Sequence, residues 1–254
     1  MKIGKGRNVL LVDEFGRKYL LRTSCQMEKV EGLGVIDTKR LASCSYGDTF
    51  SIGNRRFFLL EPSVTDKVAR LRRKAQIILP KDSAAIVLRC NIASGSIVVE
   101  GGIGSGALTT VLASYVAPKG KVISYELRED FASVALENLR NANLEGLVEV
   151  RMGDIRKGIE EKDVDAVILD IPDQWEAIVP AKKALKIGGY ICSYSPTVNQ
   201  LERTVRKLEE GGFQEIRRME ILEREMLVGD GGVRPSFEML AHTGYLTFAR
   251  KYRR

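Results

Sequence analysis

The sequence predicts an α/β protein: a doubly wound, mostly parallel seven-stranded sheet with an antiparallel end hairpin, preceded by a small N-terminal β domain. Three observations carry this. Apolar strand-like runs alternate with helical periodicity from residue 83 to residue 208, which places parallel strands under helices on both faces. The alternation then stops: the last two strand-like runs follow one another with no helix between them and should pair antiparallel. The first 62 residues show short strand patterns around turn residues instead.

In that N-terminal part, strand-like segments 9–12 and 19–22 flank a turn at Glu14-Phe15-Gly16, and 50–52 and 57–60 flank Gly53-Asn54. They suggest a small barrel-like appendage. Pro62 and Ser63 mark the seam, so the domains are drawn as 1–62 and 63–254, with Ser63 placed to cap a helix through Val64, Val68 and Leu71. Helical patterns then occupy 83–88, 107–116, 130–141, 174–185 and 197–208. Strand patterns occupy 96–100, 121–126, 147–152, 165–170, 190–194, 213–223 and 244–251, with a loop through Gly229 and Pro235 between the last two. That loop lacks a strand-to-helix context and reads as a hairpin loop rather than a phosphate cradle.

With 44% hydrophobic residues over 254 positions the chain can bury a sizeable core, which excludes disorder. No apolar run approaches the roughly 18 residues of a membrane span, and the Lys-Gly-Lys-Gly start leads into a strand pattern rather than a signal peptide, so a cytoplasmic protein is expected. Cys25, Cys44, Cys90 and Cys192 are scattered, with His242 the only histidine. That spacing argues for buried thiols and no metal site. Net charge is +7, unevenly placed: segments 1–62, 63–82 and 246–254 carry +4 each, leaving −5 for 83–245. A basic rim around an acidic body suits a polyanion such as nucleic acid, although a solvated surface would look the same. Arg70, Arg72, Arg73 and Lys74 read as a helical charge run, solvated by default. His242, with no Ser or Cys partner placed by sequence, reads as a structural or interface residue.

The chemistry concentrates at strand ends. Glu100-Gly-Gly-Ile-Gly104-Ser105-Gly106-Ala107-Leu108 closes a strand and opens a helix, the place where doubly wound sheets bind ligands. Gly102, Gly104 and Ala107 also satisfy a loose dinucleotide pattern, so the glycines alone do not exclude NAD. Glu100 discriminates: a carboxylate there would repel a pyrophosphate but suits the cationic methionine end of S-adenosylmethionine. Glu126 ends the next strand and can accept from both ribose hydroxyls, which serves either cofactor. Phe131 offers an apolar wall for an adenine, or a core aromatic. Asp154, with Ile155, closes the third strand and can accept from an adenine amino group. Asp170, before Ile171-Pro172, ends the fourth strand at the same mouth. Its surroundings lack the second proline and aromatic of the pattern common in exocyclic-amine methyltransferases.

Together these motifs resemble the class I S-adenosylmethionine-dependent methyltransferases, and among them the tRNA (adenine-N1)-methyltransferase family that modifies the T-loop. The resemblance spans nearly the whole chain: the N-terminal β domain, Gln76-Ile-Ile-Leu79-Pro80-Lys81-Asp82, the glycine loop, Tyr125-Glu126-Leu-Arg128, Leu169-Asp170-Ile-Pro172 and His242-Thr-Gly-Tyr245. It implies methyl transfer to N1 of adenine 58, in archaea also 57, by an RNA-binding homotetramer whose N-terminal domain serves tRNA binding and assembly. It also implies cofactor contacts from Glu100, Gly102, Gly104, Ser105, Gly106, Ala107, Leu108, Glu126, Phe131, Asp154, Ile155 and Asp170, with Asp170 catalytic. One departure is Leu79, a position commonly Tyr or His in such relatives.

N1 of adenine already carries a lone pair, so displacement at a sulfonium methyl needs positioning more than a strong base. Asp170 could orient the ring through N6 and stabilise the charge that develops. The target base must leave the stacked T-loop to be reached. Three rival functions share some of these features. A precorrin-type small-molecule methyltransferase would not need the basic N-terminal domain. A non-catalytic tRNA-binding subunit would be expected to lose the glycine loop. A NAD-linked oxidoreductase is disfavoured by Glu100.

Overall fold

The computed structural model describes residues 2–24 and 26–253. Cys25, one of the thiols expected to be buried, lies outside them. Cys90 and Cys192 are buried, whereas Cys44 is only half-buried at the end of a short helix.

The N-terminal part opens with β1 (Asn8–Asp13) and β2 (Lys18–Arg22), joined by the expected turn. A second hairpin follows, β3 (Met27–Val30) and β4 (Gly34–Asp37), then helix α1 (Thr38–Ser43), β5 (Thr49–Ile52) and β6 (Arg55–Leu60). The main ladder runs β2-β1-β6-β5, all antiparallel, and is open at both edges rather than closed into the expected barrel. Its core is Leu11, Leu41, Phe57 and Leu59, each fully buried. Asp37 caps α1 by accepting from the Lys39 amide at 3.0 Å.

Ser63 caps α2 (Val64–Ala69) through a reciprocal box with Asp66. The helix ends two residues short of Leu71. Next come α3 (Pro80–Arg89), β7 (Ile97–Gly101), α4 (Ala107–Val116), β8 (Lys121–Glu126), α5 (Glu129–Asn141), β9 (Val148–Met152) and β10 (Val164–Leu169). A 3-10 turn at Gln174–Ala177 leads into α6 (Ile178–Ala184), β11 (Leu185–Ser195), α7 (Val198–Glu210) and β12 (Gln214–Met219). The segment read as a loop forms its own hairpin, β13 (Met226–Gly229) with β14 (Gly232–Pro235), before β15 (Tyr245–Arg250).

Seven strands form the large sheet in the order β12-β15-β11-β10-β7-β8-β9, with β15 antiparallel to both neighbours. Strands β7 to β11 are parallel. Their residues alternate between two cores: Val98, Ala166 and Ile168 face one helical layer, Val99, Val167 and Leu169 the other. Burial on both faces is what makes these strands continuous apolar runs. β11 begins five residues before its expected start, because Gly188 (φ +82°) supplies an irregularity inside the strand where the sequence suggested a break. Chain order reverses between β7 and β10, and at that switch point the ends of both strands open onto one mouth. No helix among the described residues is long and apolar enough to cross a membrane.

Candidate active site

The mouth is lined from four strand ends. Gly102 and Gly104 follow β7; Tyr125 and Glu126 end β8, with Leu127, Arg128 and Phe131 behind them; Gly153, Asp154, Ile155 and Arg156 follow β9; Asp170, Ile171 and Pro172 follow β10. Ala75 and Gln76 border the near side, and the cavity measures about 470 Å³, within the range of small-molecule sites.

The loop after β7 must be glycine at Gly102. Its φ is +86°, and a Cβ there would lie 2.4 Å from the Asp170 carbonyl oxygen. Gly106 (φ +80°) caps α4 with no side chain, its back against Ala135 of α5. Glu126 fastens the loop to the next strand. Its Oε1 accepts from the amides of Leu127 (2.8 Å) and Arg128 (3.0 Å), while Oε2 stands 3.4 Å from the Gly104 amide. A carboxylate so oriented keeps lone pairs free toward the cavity for paired hydroxyls.

Asp154 is held by Arg156 in a two-point contact, Nε to Oδ1 and Nη2 to Oδ2, each 2.9 Å. This ion pair draws the Asp154 carboxyl below its ordinary range. Arg156 also reaches toward Asp173 (3.6 Å) and Glu176 (3.7 Å), linking the third strand end to the loop after the fourth. Phe131 presents its ring beneath the Arg128 guanidinium, 3.8 Å from the ring centroid. Asp170 is tied by its amide to the Gly101 carbonyl at 2.8 Å, and burial pushes its carboxyl up to about 7.

Thus Gly102, Gly104, Glu126, Phe131, Asp154, Ile155 and Asp170 come together as expected. Glu100, Ser105, Gly106, Ala107 and Leu108 do not line the cavity. Glu100 is 1% exposed and turned inward, its Oε2 accepting from the hydroxyls of Thr109 and Ser124, both at 2.7 Å. Burial pushes its carboxyl up to about 8, against those hydroxyl donors. The expectation that it faces a cationic cofactor end is not what the geometry displays. Ser105 is occupied elsewhere: its Oγ accepts from the Lys74 amide at 2.9 Å and its carbonyl accepts from Asn138.

The same contacts correct the charge run. Residues 70–79 are not helical, because Asn138 takes the Arg72 amide (3.0 Å) and donates to the Arg72 carbonyl (3.0 Å), replacing intrahelical bonds. Arg72 and Arg73 are left outward, and Lys74 pairs with Asp130. This irregular strap delivers Ala75 and Gln76 to the cavity, contacts that residue type alone did not signal. Arg156 was missed as well, its only sequence cue being an acid two residues earlier.

Behind the strap, half-buried Lys81 donates to Asp82 (2.9 Å), Thr243 Oγ1 (2.8 Å) and the Ile221 carbonyl (2.7 Å). This pins α3 to the tail. Leu79 precedes α3 without capping it by side chain and packs on the apolar core. His242 bridges Glu220 (2.6 Å) and the Pro196 carbonyl (2.9 Å) and lies against Tyr245, a structural placement at the start of β15.

The family described as tRNA methyltransferase complex GCD14 subunit matches residues 57–231. The chain belongs to this tRNA methyltransferase family. Within the GCD14 family's wider circle, it is 40% identical to the tRNA (adenine(57)-N(1)/adenine(58)-N(1))-methyltransferase TrmI of Methanocaldococcus jannaschii, over 95% of this chain and 94% of the relative. Among solved structures, a SAM-dependent O-methyltransferase from Thermotoga maritima superposes with a TM-score of 0.85 at 36% identity, covering 100% of this chain and 96% of the other. The tRNA (m1A58) methyltransferase TrmI of Aquifex aeolicus gives 0.77 at 28% identity, with both chains fully covered.

Proposed function

We propose that the chain transfers a methyl group from S-adenosylmethionine to N1 of an adenine in the tRNA T-loop, at position 58 and also at 57. The observation that carries this is the convergence of Glu126, Asp154 and Asp170 on one cavity in a chain 40% identical to an enzyme named for both positions. The donor set fits the cofactor: Glu126 has acceptors for two ribose hydroxyls, Asp154 and Ile155 would hold the adenine edge, Phe131 would supply a wall, and Gly102 and Gly104 leave backbone open to a close ligand. When bound, S-adenosylmethionine supplies an electrophilic methyl on sulfur.

Asp170 is the catalytic residue in this reading. It accepts from the adenine N6 amino group, aims N1 along the displacement axis, and stabilises the positive charge that grows on the base. Burial strengthens that interaction by lowering the local dielectric. Glu100, Ser105, Gly106, Ala107 and Leu108 act behind the site by fixing the glycine loop. Residues 1–62 form the tRNA-binding and assembly domain and 63–254 the methyltransferase domain, of a cytoplasmic homotetramer. The exposed apolar face of the β13–β14 hairpin, with Met226, Val228 and Val233, supports assembly. A non-catalytic subunit is disfavoured by the intact loop and cavity.

Mass-spectrometric mapping of tRNA after incubation with labelled cofactor tests the reaction. N1-methyladenine in the T-loop is expected, and unmodified tRNA would refute the proposal. Light scattering should give four chain masses.

A further inference from the structure

Residues 83–245 total −5, yet the fold gathers a cationic surface within them. Lys157 and Lys162, on the loop between β9 and β10, and Lys183, in the last turn of α6, line an open concavity of about 340 Å³ that shares Arg156 with the main cavity. Glu176 also lines the hollow, and Asp163 follows Lys162 in the same loop. Glu160 and Glu161 turn to Arg151 at 2.5 and 2.8 Å, and Glu176 faces Arg156. Among the described residues, no carboxylate lies within 4 Å of the Lys157, Lys162 or Lys183 ammonium groups. Lys251, outside this lining, donates to the Leu185 carbonyl. The Lys251 ammonium is drawn below its ordinary value by burial first, with the charges of Lys182 and Lys162 adding to the effect and Asp163 opposing it.

Single lysines on a surface are solvated and need no explanation. Three unpaired ones around a shared hollow repel one another, and an anion lying among them relieves that repulsion. No aromatic side chain lines the hollow, so it offers nothing on which a base could stack, and the ligand chemistry it fits is the phosphate backbone. The position gives it a role. The basic strap of residues 70–79 reaches the cavity at Ala75 and Gln76, whereas the lysine hollow reaches it at Arg156, in the loop after β9.

We infer that the hollow formed by Lys157, Lys162 and Lys183 is a second seat for the tRNA backbone, distinct from the N-terminal basic segments. It rests on the reading that the chain acts on tRNA. The strap and the hollow each border the cavity, so the RNA is held at two places around the base that enters it. Each lysine neutralises one phosphate and releases its counterion, contributing about 1 to the salt dependence of binding.

The test uses the full chain carrying K157Q, K162Q and K183Q together, since glutamine preserves length and avoids new repulsion. Affinity for a full-length tRNA transcript is measured across salt concentrations, beside S-adenosylhomocysteine affinity and a thermal melt. The expected result is a slope of log affinity against log salt that is shallower by roughly 2 to 3, with cofactor-product binding and melting unchanged. A variant with the wild-type slope and affinity overturns the seat, while wild-type methylation of the same tRNA keeps the methyltransferase reading standing. Wild-type protein that leaves tRNA unmethylated overturns both. A variant that keeps its tRNA slope but loses binding to polyglutamate assigns the hollow to an acidic protein and overturns the inference.

Discussion

Gly102 stands so close to Asp170 that a methyl group on its Cα would lie 2.4 Å from the Asp170 carbonyl oxygen. The glycine loop after β7 and the residue that ends β10 are therefore in direct backbone contact. Gly102→Ala meets this clash and a φ of +86° at once, and left-handed backbone alone costs an alanine about 1 to 2 kcal/mol. S-adenosylhomocysteine affinity should fall at least tenfold, by calorimetry, with methyl transfer falling further because Asp170 is displaced too. Unchanged binding would mean that the loop yields freely.

Glu100 makes stability depend on pH. Its carboxyl is raised from 4.5 to about 8, so between those values the native chain holds a proton that the unfolded chain has released. Stability from this group is therefore lost as pH rises through that window. Glu100→Gln is uncharged throughout and keeps an oxygen for the Thr109 and Ser124 hydroxyls. The melting temperature of the variant relative to wild type should rise from pH 4.5 to 8, and a constant difference would refute the assignment. Since Glu100 faces away from the cavity, its replacement should reduce cofactor affinity less than Glu126→Ala does.

Asn138 holds the strap with three hydrogen bonds, two to Arg72 backbone and one to the Ser105 carbonyl. At about 1 kcal/mol each, Asn138→Ala should lower stability by about 3 kcal/mol in urea denaturation. Limited proteolysis should then cut first between residues 70 and 79. Equal protease resistance would show that the strap is held by its apolar anchors, Leu71, Ile77 and Ile78, alone.

The same strap leaves Arg72 and Arg73 outward, Arg72 with only a loose 3.5 Å contact to Glu137. Reversing both to Glu should weaken binding across unrelated tRNAs and flatten the salt slope by about 2. An unchanged slope would assign them to a solvated face or a subunit contact.

The contrast between these residues explains what the sequence could disclose. The parallel strands are legible because burial on two faces makes them unbroken apolar runs, and the strand-end acids are legible because a carboxylate after such a run has few other uses. The strap's charge run reads as a helix because its backbone is satisfied by an Asn 66 residues away, which no local pattern records. Glu100 reads as a cavity residue because Gly102 and Gly104, two and four positions on, line the cavity; only the strand's pleat decides that its side chain turns in toward Thr109 and Ser124. The β3–β4 hairpin escapes because its strands are four residues each and their apolar residues, Met27 with Val30 and Val35 with Ile36, do not alternate. The lysine hollow and Arg156 depend on loops from different strands meeting in space.

Asp170 is where the proposed mechanism is most exposed. Its carboxyl is raised to about 7 by burial, so near neutrality only part of the population is ionised, and the ionised form is the one that accepts from N6 and stabilises a cationic base. Single-turnover methyl transfer should therefore rise with pH through about 7 and level off above it. Asp170→Asn keeps the shape but removes the charge and can present a donor to a donor. The rate should fall roughly 10²-fold or more, with its pH dependence through 7 abolished and S-adenosylhomocysteine affinity much less changed. Stability separates this from a turn-capping role. A raised carboxyl pKa means the native state retains its proton longer than the unfolded chain, so removing the ionisable group should not lower the melting temperature above pH 7. If Asp170 only organised the turn before Pro172, melting temperature and rate would drop together. A normally folded Asn variant with a near-normal rate would remove Asp170 from the chemistry.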